Sequence, residues 1–350
     1  MAVTNQAMTT RLLRHERLTQ RRLVVTLVVL TAVLVVVALF AVAVGSERVD
    51  LGDIVRVFAG QLTGTSPDVA PELYTIIAQV RLPRVLMAIV VGAAFAVAGA
   101  AFQALLKNPL ADPGLLGIST GAALGAIAAT VFAEAMPVSR PLAAFIGAVL
   151  TTGAVFVIGQ TRQGGSTERL ILAGVIVNSF LSSMVIYLVT AVSGLRQRSV
   201  FSWLIGDLGG EPRLLPLVTI LVVIGSLLIF VNARSLNLLM TSDQEAMALG
   251  VDVNRVYVTV FLAASLITGA AVAVSGVIGF VGLIIPHAVR LVGGSDNRLV
   301  VPGSALVGAA FLLLADVIAR TVVAPREMHI GVITALIGAP VFVYLLRRTS

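Results

Sequence analysis

The fold of this protein is decided by the stretch "RLPRVLMAIVVGAAFAVAGAAFQALL", residues 81–106, which carries no charge after Arg84. Residues 85–106 are long enough to cross a bilayer as an α-helix, which needs about 20 mostly apolar residues. Small residues recur at every fourth position, at Ala88, Gly92, Ala96, Ala100 and Ala104. Because small faces let helix backbones approach closely, the stretch predicts a membrane helix in the interior of a tight bundle.

The composition of the whole chain favours a membrane protein with many spans. Of its 350 residues, 58% are hydrophobic and only 12% are charged, which is more apolar surface than a water-soluble domain of this length can hide. The chain has no cysteine, so disulfides and thiolate metal sites are excluded. The net charge of +7 is interpreted as a record of membrane topology and not as a nucleic-acid-binding surface, because positive residues accumulate in cytoplasmic loops.

A window of about 20 residues finds ten apolar segments, which predict an all-α protein with ten transmembrane helices. The segments are 23–44, 83–106, 114–133, 141–160, 170–192, 214–231, 256–275, 277–292, 300–323 and 330–346. The seventh and eighth are joined by "VSGVIGFVGLIIPH", whose glycines predict an irregular backbone that must be buried by protein. We therefore expect a single transmembrane domain over residues 23–346.

The charged ends of the chain predict its orientation. Ten spans place both termini on the same side of the membrane, and both termini are basic: "RLLRHERLTQRR" precedes the first span and "RRTS" ends the chain. The positive-inside rule then predicts a cytoplasmic N-terminal segment, 1–22, and a cytoplasmic tail, 347–350. By the same topology the loop 232–255 is cytoplasmic, whereas Arg81, Arg84 and Arg320 lie at the outer face.

Motifs for catalysis, metal binding and nucleotide binding lack the context that their chemistry needs. "GISTG", residues 117–121, matches the nucleophile elbow of serine hydrolases but lies in an apolar helix and not at a strand–helix turn. The three histidines are scattered and no H-E-x-x-H motif occurs, so we predict no metal site and no catalytic residue. The single lysine, Lys107, has no P-loop glycines around it. Any coupling to ATP therefore requires another subunit.

The loop 232–255 contains the pattern of a short capped helix. Its sequence "SDQEAMALG" combines a capping box with a glycine stop. The acidic residues of this helix would be repelled by an anionic lipid surface, so docking into a groove on a protein partner is favoured over a helix lying on the membrane. The residues assigned to this helix are Ser242, Glu245, Met247, Leu249 and Gly250.

Several segments together resemble the FecCD family, the permease subunits of bacterial ABC importers for ferric siderophores, haem and cobalamin. They are "RLPR" (81–84), "NPLADPGLLG" (108–117), "GFVGLIIPH" (279–287), "LLADVIAR" (313–320) and "IGVITALIGAPVFVYLLRR" (330–348). The resemblance implies the ten-helix fold of type II ABC importers and a second permease subunit, identical or paralogous. It also implies two cytoplasmic ATPase subunits, which would hold the ATP and Mg²⁺, and an external substrate-binding protein.

The resemblance also implies roles for particular residues. The family's coupling element lies between the sixth and seventh spans, where the capped helix occurs, and its cytoplasmic gate lies between the fourth and fifth, here "GGSTER". Thr167 occupies a gate position, and Glu168 departs from the small hydroxyl residue of the family. Arg81, Arg84 and Arg320 match arginines that meet glutamates on the two lobes of the binding protein. Their alternative role is that of interfacial anchors.

These observations predict a permease of the bacterial inner membrane that moves ferric siderophores by alternating access between two permease subunits. Cobalamin or haem remains an alternative substrate, and a secondary transporter or a membrane enzyme remains an alternative class. A secondary transporter is expected to place ionisable residues near mid-membrane. Asp316 instead lies toward an outer end, one turn from Arg320, where an i, i+4 ion pair explains it.

Overall fold

The computed structural model describes residues 19–45, 49–63, 69–132, 138–159, 167–191, 195–324 and 326–349, and its regular elements in these ranges are helical. The helices are α1 Gln20–Ala43, α2 Leu51–Thr63, α3 Pro71–Leu105, α4 Ile118–Val131, α5 Arg140–Gly159, α6 Thr167–Ala191, α7 Leu195–Ile205, α8 Leu215–Val231, α9 Ala233–Leu239, α10 Asp243–Ala248, α11 Val253–Ser275, α12 Val281–Gly293, α13 Asn297–Thr321 and α14 Ile330–Thr349.

Each of the ten predicted spans contains one of these helices, which confirms the all-helical membrane fold. Seven are long and apolar enough to cross a membrane, namely α1, α3, α5, α6, α8, α11 and α13, and the shorter α4, α12 and α14 are also apolar. Besides α9 and α10 in the loop 232–255, two helices, α2 and α7, lie outside the predicted spans. They were missed because a helix of 11 or 13 residues with mixed polarity does not fill a window of membrane length.

Helices α3 and α11 form the centre of the bundle. In each of them 78% of the most apolar window is buried, whereas no residue of the corresponding window of α1 is buried, and α1 packs mainly along α13. The predicted ladder of small residues on α3 is buried along its whole length. A Cβ atom on Gly92 would lie 2.4 Å from the carbonyl oxygen of Gly308 on α13. The ladder therefore lets two helix backbones touch, as the sequence predicted.

Gly99 makes a similar contact with α12 and gives a direct test of this packing. A Cβ atom at position 99 would lie 1.9 Å from the carbonyl oxygen of Gly282, so Gly99→Ala must push two backbones apart. We expect a loss of about 1–3 kcal/mol or more, since overpacking is costly where only backbone can yield. Thermal unfolding in detergent measures this loss as a lower midpoint.

Gly153→Ala in α5 is the matched control, because a Cβ atom there would meet nothing within 4 Å. Alanine also favours the helical state over glycine by about 1 kcal/mol, so this variant should unfold at the wild-type temperature or above it. Equal midpoints for the two variants would contradict the close packing of α3 on α12.

The predicted irregular joint lies between α11 and α12. Residues 276–280 leave the helical conformation, Gly276 has a φ of +66°, and Phe280 has a φ of +71°. A Cβ atom on Gly276 would lie 2.0 Å from the carbonyl oxygen of Trp203 in α7, so the start of the joint is covered by protein, whereas Gly279 is exposed. Because Gly282 then lies against Gly99, α12 begins beside α3 about two turns before the end of that helix.

The start of α3 corrects one predicted boundary. The span was expected to begin at residue 83, with Arg81 and Arg84 at its entrance, but the helix is continuous from Pro71 to Leu105. Residues Thr75–Arg81 are π-helical, and the N–H of Leu82 bonds the carbonyl of Ile77. A π-segment shifts the hydrogen-bond pattern just before Pro83, which has no N–H to donate. Both arginines consequently project from within a helix.

Candidate docking and coupling sites

The functional residues predicted from the sequence gather at two opposite ends of the bundle. At the end that we call the arginine end, the carboxyl end of α1 meets the first turns of α3 and the last turns of α13. At the other end, the loop-helix end, the loop after α3 meets α10, and α9 meets the start of α13. This arrangement matches the alternating spans of the predicted topology.

Arg81 and Arg320 hold the carboxyl end of α1. Both are buried, with 5% and 6% of their surface exposed. Nη1 of Arg81 donates to two carbonyl oxygens at 2.8 and 3.1 Å, and Arg320 donates to two more at 3.1 and 3.3 Å. The accepting oxygens belong to Ala41, Val42, Ala43 and Val44. The last carbonyls of a helix lack intrahelical partners and carry partial negative charge, so two guanidinium groups satisfy them well.

Asp316 connects two of the three predicted arginines, Arg84 and Arg320. Its side chain is fully buried, and its Oδ1 accepts a hydrogen bond of 2.8 Å from Nε of Arg84. Its Oδ2 lies 2.9 Å from Nε of Arg320, an ion pair whose angle falls short of hydrogen-bond geometry. The predicted i, i+4 pair is therefore present. Since a buried charge is tolerated only with good partners, Asp316 and the two arginines form one electrostatic unit.

Arg84 is the member of this unit that reaches toward the surface. Its side chain is 13% exposed, and its Nη1 donates to Oε2 of Glu327 at 2.7 Å, where Glu327 is 54% exposed. The structure thus brings Arg81, Arg84 and Arg320 together as expected, and Arg84 contacts an exposed side chain, that of Glu327. Whether an external protein docks there stays a prediction. Sequence reasoning missed Glu327, because its partner lies 243 residues away along the chain.

The loop helix α10 has the local structure that its sequence predicted. Oγ of Ser242 accepts a hydrogen bond of 3.0 Å from the N–H of Glu245. The helix is followed by Gly250, which has a φ of +83°. Met247 is 55% exposed and Leu249 is 67% exposed. Two large apolar side chains that stand clear of the bundle, beside a capped helix, fit the predicted docking surface, and the docking itself remains a prediction.

Two polar contacts join the loop 232–255 to the transmembrane helices. Nζ of Lys107, at the end of α3, lies 2.8 Å from Oδ1 of Asp243 in the first turn of α10. Asn237 of α9 donates to Asp296, the N-cap residue of α13, at 2.8 Å. Burial raises the pKa of Asp296, but hydrogen bonds from Arg298 and Asn237 outweigh it and hold the pKa below its usual range. The loop helix α10 is thus tied to the end of α3, and its neighbour α9 is tied to the start of α13.

The predicted gate lies partly outside the described residues. Of "GGSTER", residues 164–166 are outside them, Thr167 begins α6, and Glu168 is exposed in its first turn. A carboxylate in the first turn complements the positive end of the helix dipole. The roles of Thr167 and Glu168 as gate residues stay predictions.

A bundle of apolar helices packed through small residues, with an exposed loop helix at one end, defines a multi-pass membrane permease. The chain belongs to the FecCD transport family, whose model matches residues 33–348. It is accordingly the permease component of an ABC importer and a multi-pass protein of the inner membrane.

Three named relatives have similar sequence identities to this chain. The chain is 43% identical over 316 residues to the uncharacterised ABC transporter permease protein YvrB of Bacillus subtilis, covering 88% of this chain and 89% of the relative. It is 43% identical to the cobalamin import system permease protein BtuC of Halobacterium salinarum, covering 78% and 73%. It is 44% identical to the hemin transport system permease protein HmuU of Yersinia pestis, covering 77% and 82%.

Solved structures support the fold. The chain matches an ABC transporter assigned to the metal-chelate type and captured in an inward-facing conformation, with a TM-score of 0.78 and 30% identity, covering 93% of this chain and 99% of that one. A second match, PsaBC from Streptococcus pneumoniae in complex with Fab, has a TM-score of 0.52 and 18% identity and shows the fold alone. The predicted type II importer fold is therefore confirmed.

Proposed function

We propose that this chain is the permease subunit of an ATP-driven importer for ferric siderophores, moving its substrate along a pathway between two permease subunits. The observation that carries the proposal is the FecCD match over residues 33–348, nearly the whole chain. ATP hydrolysis takes place on two separate cytoplasmic ATPase subunits, which hold the nucleotide and Mg²⁺. This chain contributes the membrane pathway and needs no cofactor of its own.

The exposed face of α6 supports a pathway shared with a second permease. Four hydroxyl residues recur on that face at helical spacing and are exposed: Ser179, Ser183, Tyr187 and Thr190. On α8 the exposed residues from Leu217 to Val231 are all apolar, whereas α6 exposes its hydroxyl groups among apolar residues such as Ile176, Phe180 and Ile186. A stripe of hydroxyl groups along a spanning helix is suited to a polar pathway between protein surfaces. The partner across it is a second permease, identical or paralogous.

The coupling step follows from the contacts of α10. We place both termini, with residues 1–22 and 347–350, in the cytoplasm, so that the loop-helix end faces the ATPase subunits. Closure of the ATPase dimer on ATP would press on the groove that holds Met247 and Leu249. The pairs Lys107–Asp243 and Asn237–Asp296 would then carry the displacement to α3 and α13. The pathway would open alternately to the two sides, with residues 164–169 closing its cytoplasmic end.

The external binding protein docks, in this proposal, at the arginine end. Arg84 is the residue that an acidic group on that protein can reach, because Arg81 and Arg320 are occupied by the carbonyl oxygens of α1. A guanidinium suits carboxylate capture, and the positive-inside rule disfavours arginines on the outer face unless they serve a purpose there. Arg81 and Arg320 contribute by holding α1 and Asp316 in place beneath Arg84.

Cobalamin or haem is the second candidate substrate, favoured by the names of the relatives from Halobacterium salinarum and Yersinia pestis at 43% and 44% identity. All three candidates are metal chelates. Uptake by vesicles that contain the complete importer, measured in parallel with labelled ferric siderophores, cyanocobalamin and haem, separates them. Saturable uptake of a ferric siderophore that excess cobalamin and haem leave unchanged supports the first candidate. Uptake of cobalamin or haem without uptake of a ferric siderophore identifies that compound as the substrate instead.

A further inference from the structure

Glu327 occupies the outward side of Arg84. The guanidinium of Arg84 pairs with two carboxylates. The buried one is Asp316, at 2.8 Å from Nε, and the exposed one is Glu327, at 2.7 Å from Nη1. Glu327 is the more exposed partner, at 54% against 13% for Arg84. A carboxylate that approaches Arg84 from outside therefore meets Glu327 first.

A backbone contact of the next residue holds Glu327 beside Arg84. Glu327 lies in the short connection between α13 and α14, and the N–H of the next residue, Met328, donates to the carbonyl oxygen of Ala319 at 2.9 Å. Met328 also packs against the buried core. This anchor returns the chain to the last turns of α13, beside Asp316, and so presents the Glu327 carboxylate to Arg84.

Asp316 and Glu327 make the same kind of ion pair with Arg84, but the two pairs differ in strength. Asp316 is fully buried, so its pairing with Arg84 is protected from water. The pair with Glu327 is largely exposed, and exposed ion pairs contribute about 0–1 kcal/mol. The outer pair can therefore be exchanged for another carboxylate while the inner one remains. Capture of that carboxylate by two parallel hydrogen bonds needs the donor that Glu327 now holds.

We propose that Glu327 is a built-in competitor, an internal carboxylate that covers Arg84 until an acidic group of the external binding protein displaces it. The inference rests on the proposed docking role of the arginine end and adds a residue that controls access to it. With Glu327 in place, the two paired arginines, Arg84 and Arg320, are balanced by two carboxylates, Asp316 and Glu327. Glu327→Gln leaves this unit with one positive charge and removes the outer of the two carboxylates that pair with Arg84.

The test measures association of the permease–ATPase complex, held in lipid nanodiscs, with the importer's own substrate-loaded binding protein on a sensor surface. Glu327→Gln and Glu327→Ala should raise the association rate by about three- to tenfold at low salt and steepen its salt dependence, because a stronger positive field steers an acidic partner. Glu72→Gln is the matched control, an equal change of charge in the exposed first turn of α3. It should leave the rate within about twofold, since screening weakens charges away from the contact.

Unchanged or slower association of both Glu327 variants would overturn the inference. Arg84→Gln, read beside them, shows which part has failed. If this variant loses binding while the Glu327 variants behave as wild type, Arg84 docks the partner and Glu327 does not compete. If this variant binds normally, docking at Arg84 is itself wrong and the inference falls with it. ATP-driven uptake by the wild-type complex tests the proposed permease function separately.

Discussion

Asp316→Asn is expected to lower the free energy of unfolding by about 3–5 kcal/mol, the usual cost of breaking a buried ion pair from one side. The substitution keeps the shape of the side chain but removes the charge that faces Nε of Arg84 at 2.8 Å and Nε of Arg320 at 2.9 Å. Both guanidinium groups would then lack their buried counter-ion. Because Arg320 also holds the end of α1, we expect that helix to loosen first. Thermal unfolding in detergent, with limited proteolysis after α1, measures both effects.

Asp53→Asn provides the control for this prediction. Asp53 pairs with Arg56 at 3.5 Å on the surface of α2, where 58% of the arginine side chain is exposed. Exposed pairs of this kind contribute less than about 1 kcal/mol, so the midpoint should hardly move. If Asp316→Asn unfolds at the same temperature as Asp53→Asn, the buried cluster does not stabilise the arginine end.

Met247→Asp is expected to reduce ATP-driven uptake at least tenfold while the membrane domain stays folded. Met247 is 55% exposed on α10, so a charge at this position is harmless to the isolated permease. If Met247 packs into a groove on the ATPase, the substitution removes an apolar contact worth about 1.5–3 kcal/mol. Every 1.4 kcal/mol corresponds to about a tenfold change in an equilibrium. Uptake and permease-stimulated ATP hydrolysis, measured together, report the uncoupling.

Two further variants make the loop-helix prediction decisive. Met247→Leu keeps an apolar side chain of similar volume and should retain uptake close to wild type. Gly250→Pro should uncouple as Met247→Asp does, because proline cannot adopt the φ of +83° that ends the helix. Normal uptake and normal ATPase stimulation in both Met247→Asp and Gly250→Pro, at normal expression, would exclude a docking role for α10.

Sequence patterns predicted most of the fold because the lipid bilayer acts on long segments. Each apolar run must form a helix to satisfy its backbone, so each of the ten predicted segments overlaps a helix, and seven of these helices are long and apolar enough to cross a membrane. The π-helical turn Thr75–Arg81 and the helix α7 were missed. Their form depends on tertiary contacts, such as the packing of Gly276 against Trp203, which leave no periodic signal in a single sequence.

The two candidate sites differ in how far sequence could predict them. Helix α10 was found with its cap and its stop because Ser242, Glu245 and Gly250 all lie within the short stretch 242–250. The arginine end combines residues from four separate parts of the chain. The resemblance to FecCD permeases identified its arginines, but not that Arg81 and Arg320 face inward to hold α1. Such pairings are decided by packing and not by local sequence.

The central claim, that this chain is an importer permease powered by partner ATPases, is tested most directly by uptake in reconstituted vesicles. The permease is placed in liposomes with its ATPase subunits and its loaded binding protein, with ATP on the side of the ATPases. The account predicts accumulation that requires ATP and disappears when the ATPase subunits are omitted. Accumulation by the permease alone, driven by an ion gradient, would contradict it and indicate a secondary transporter.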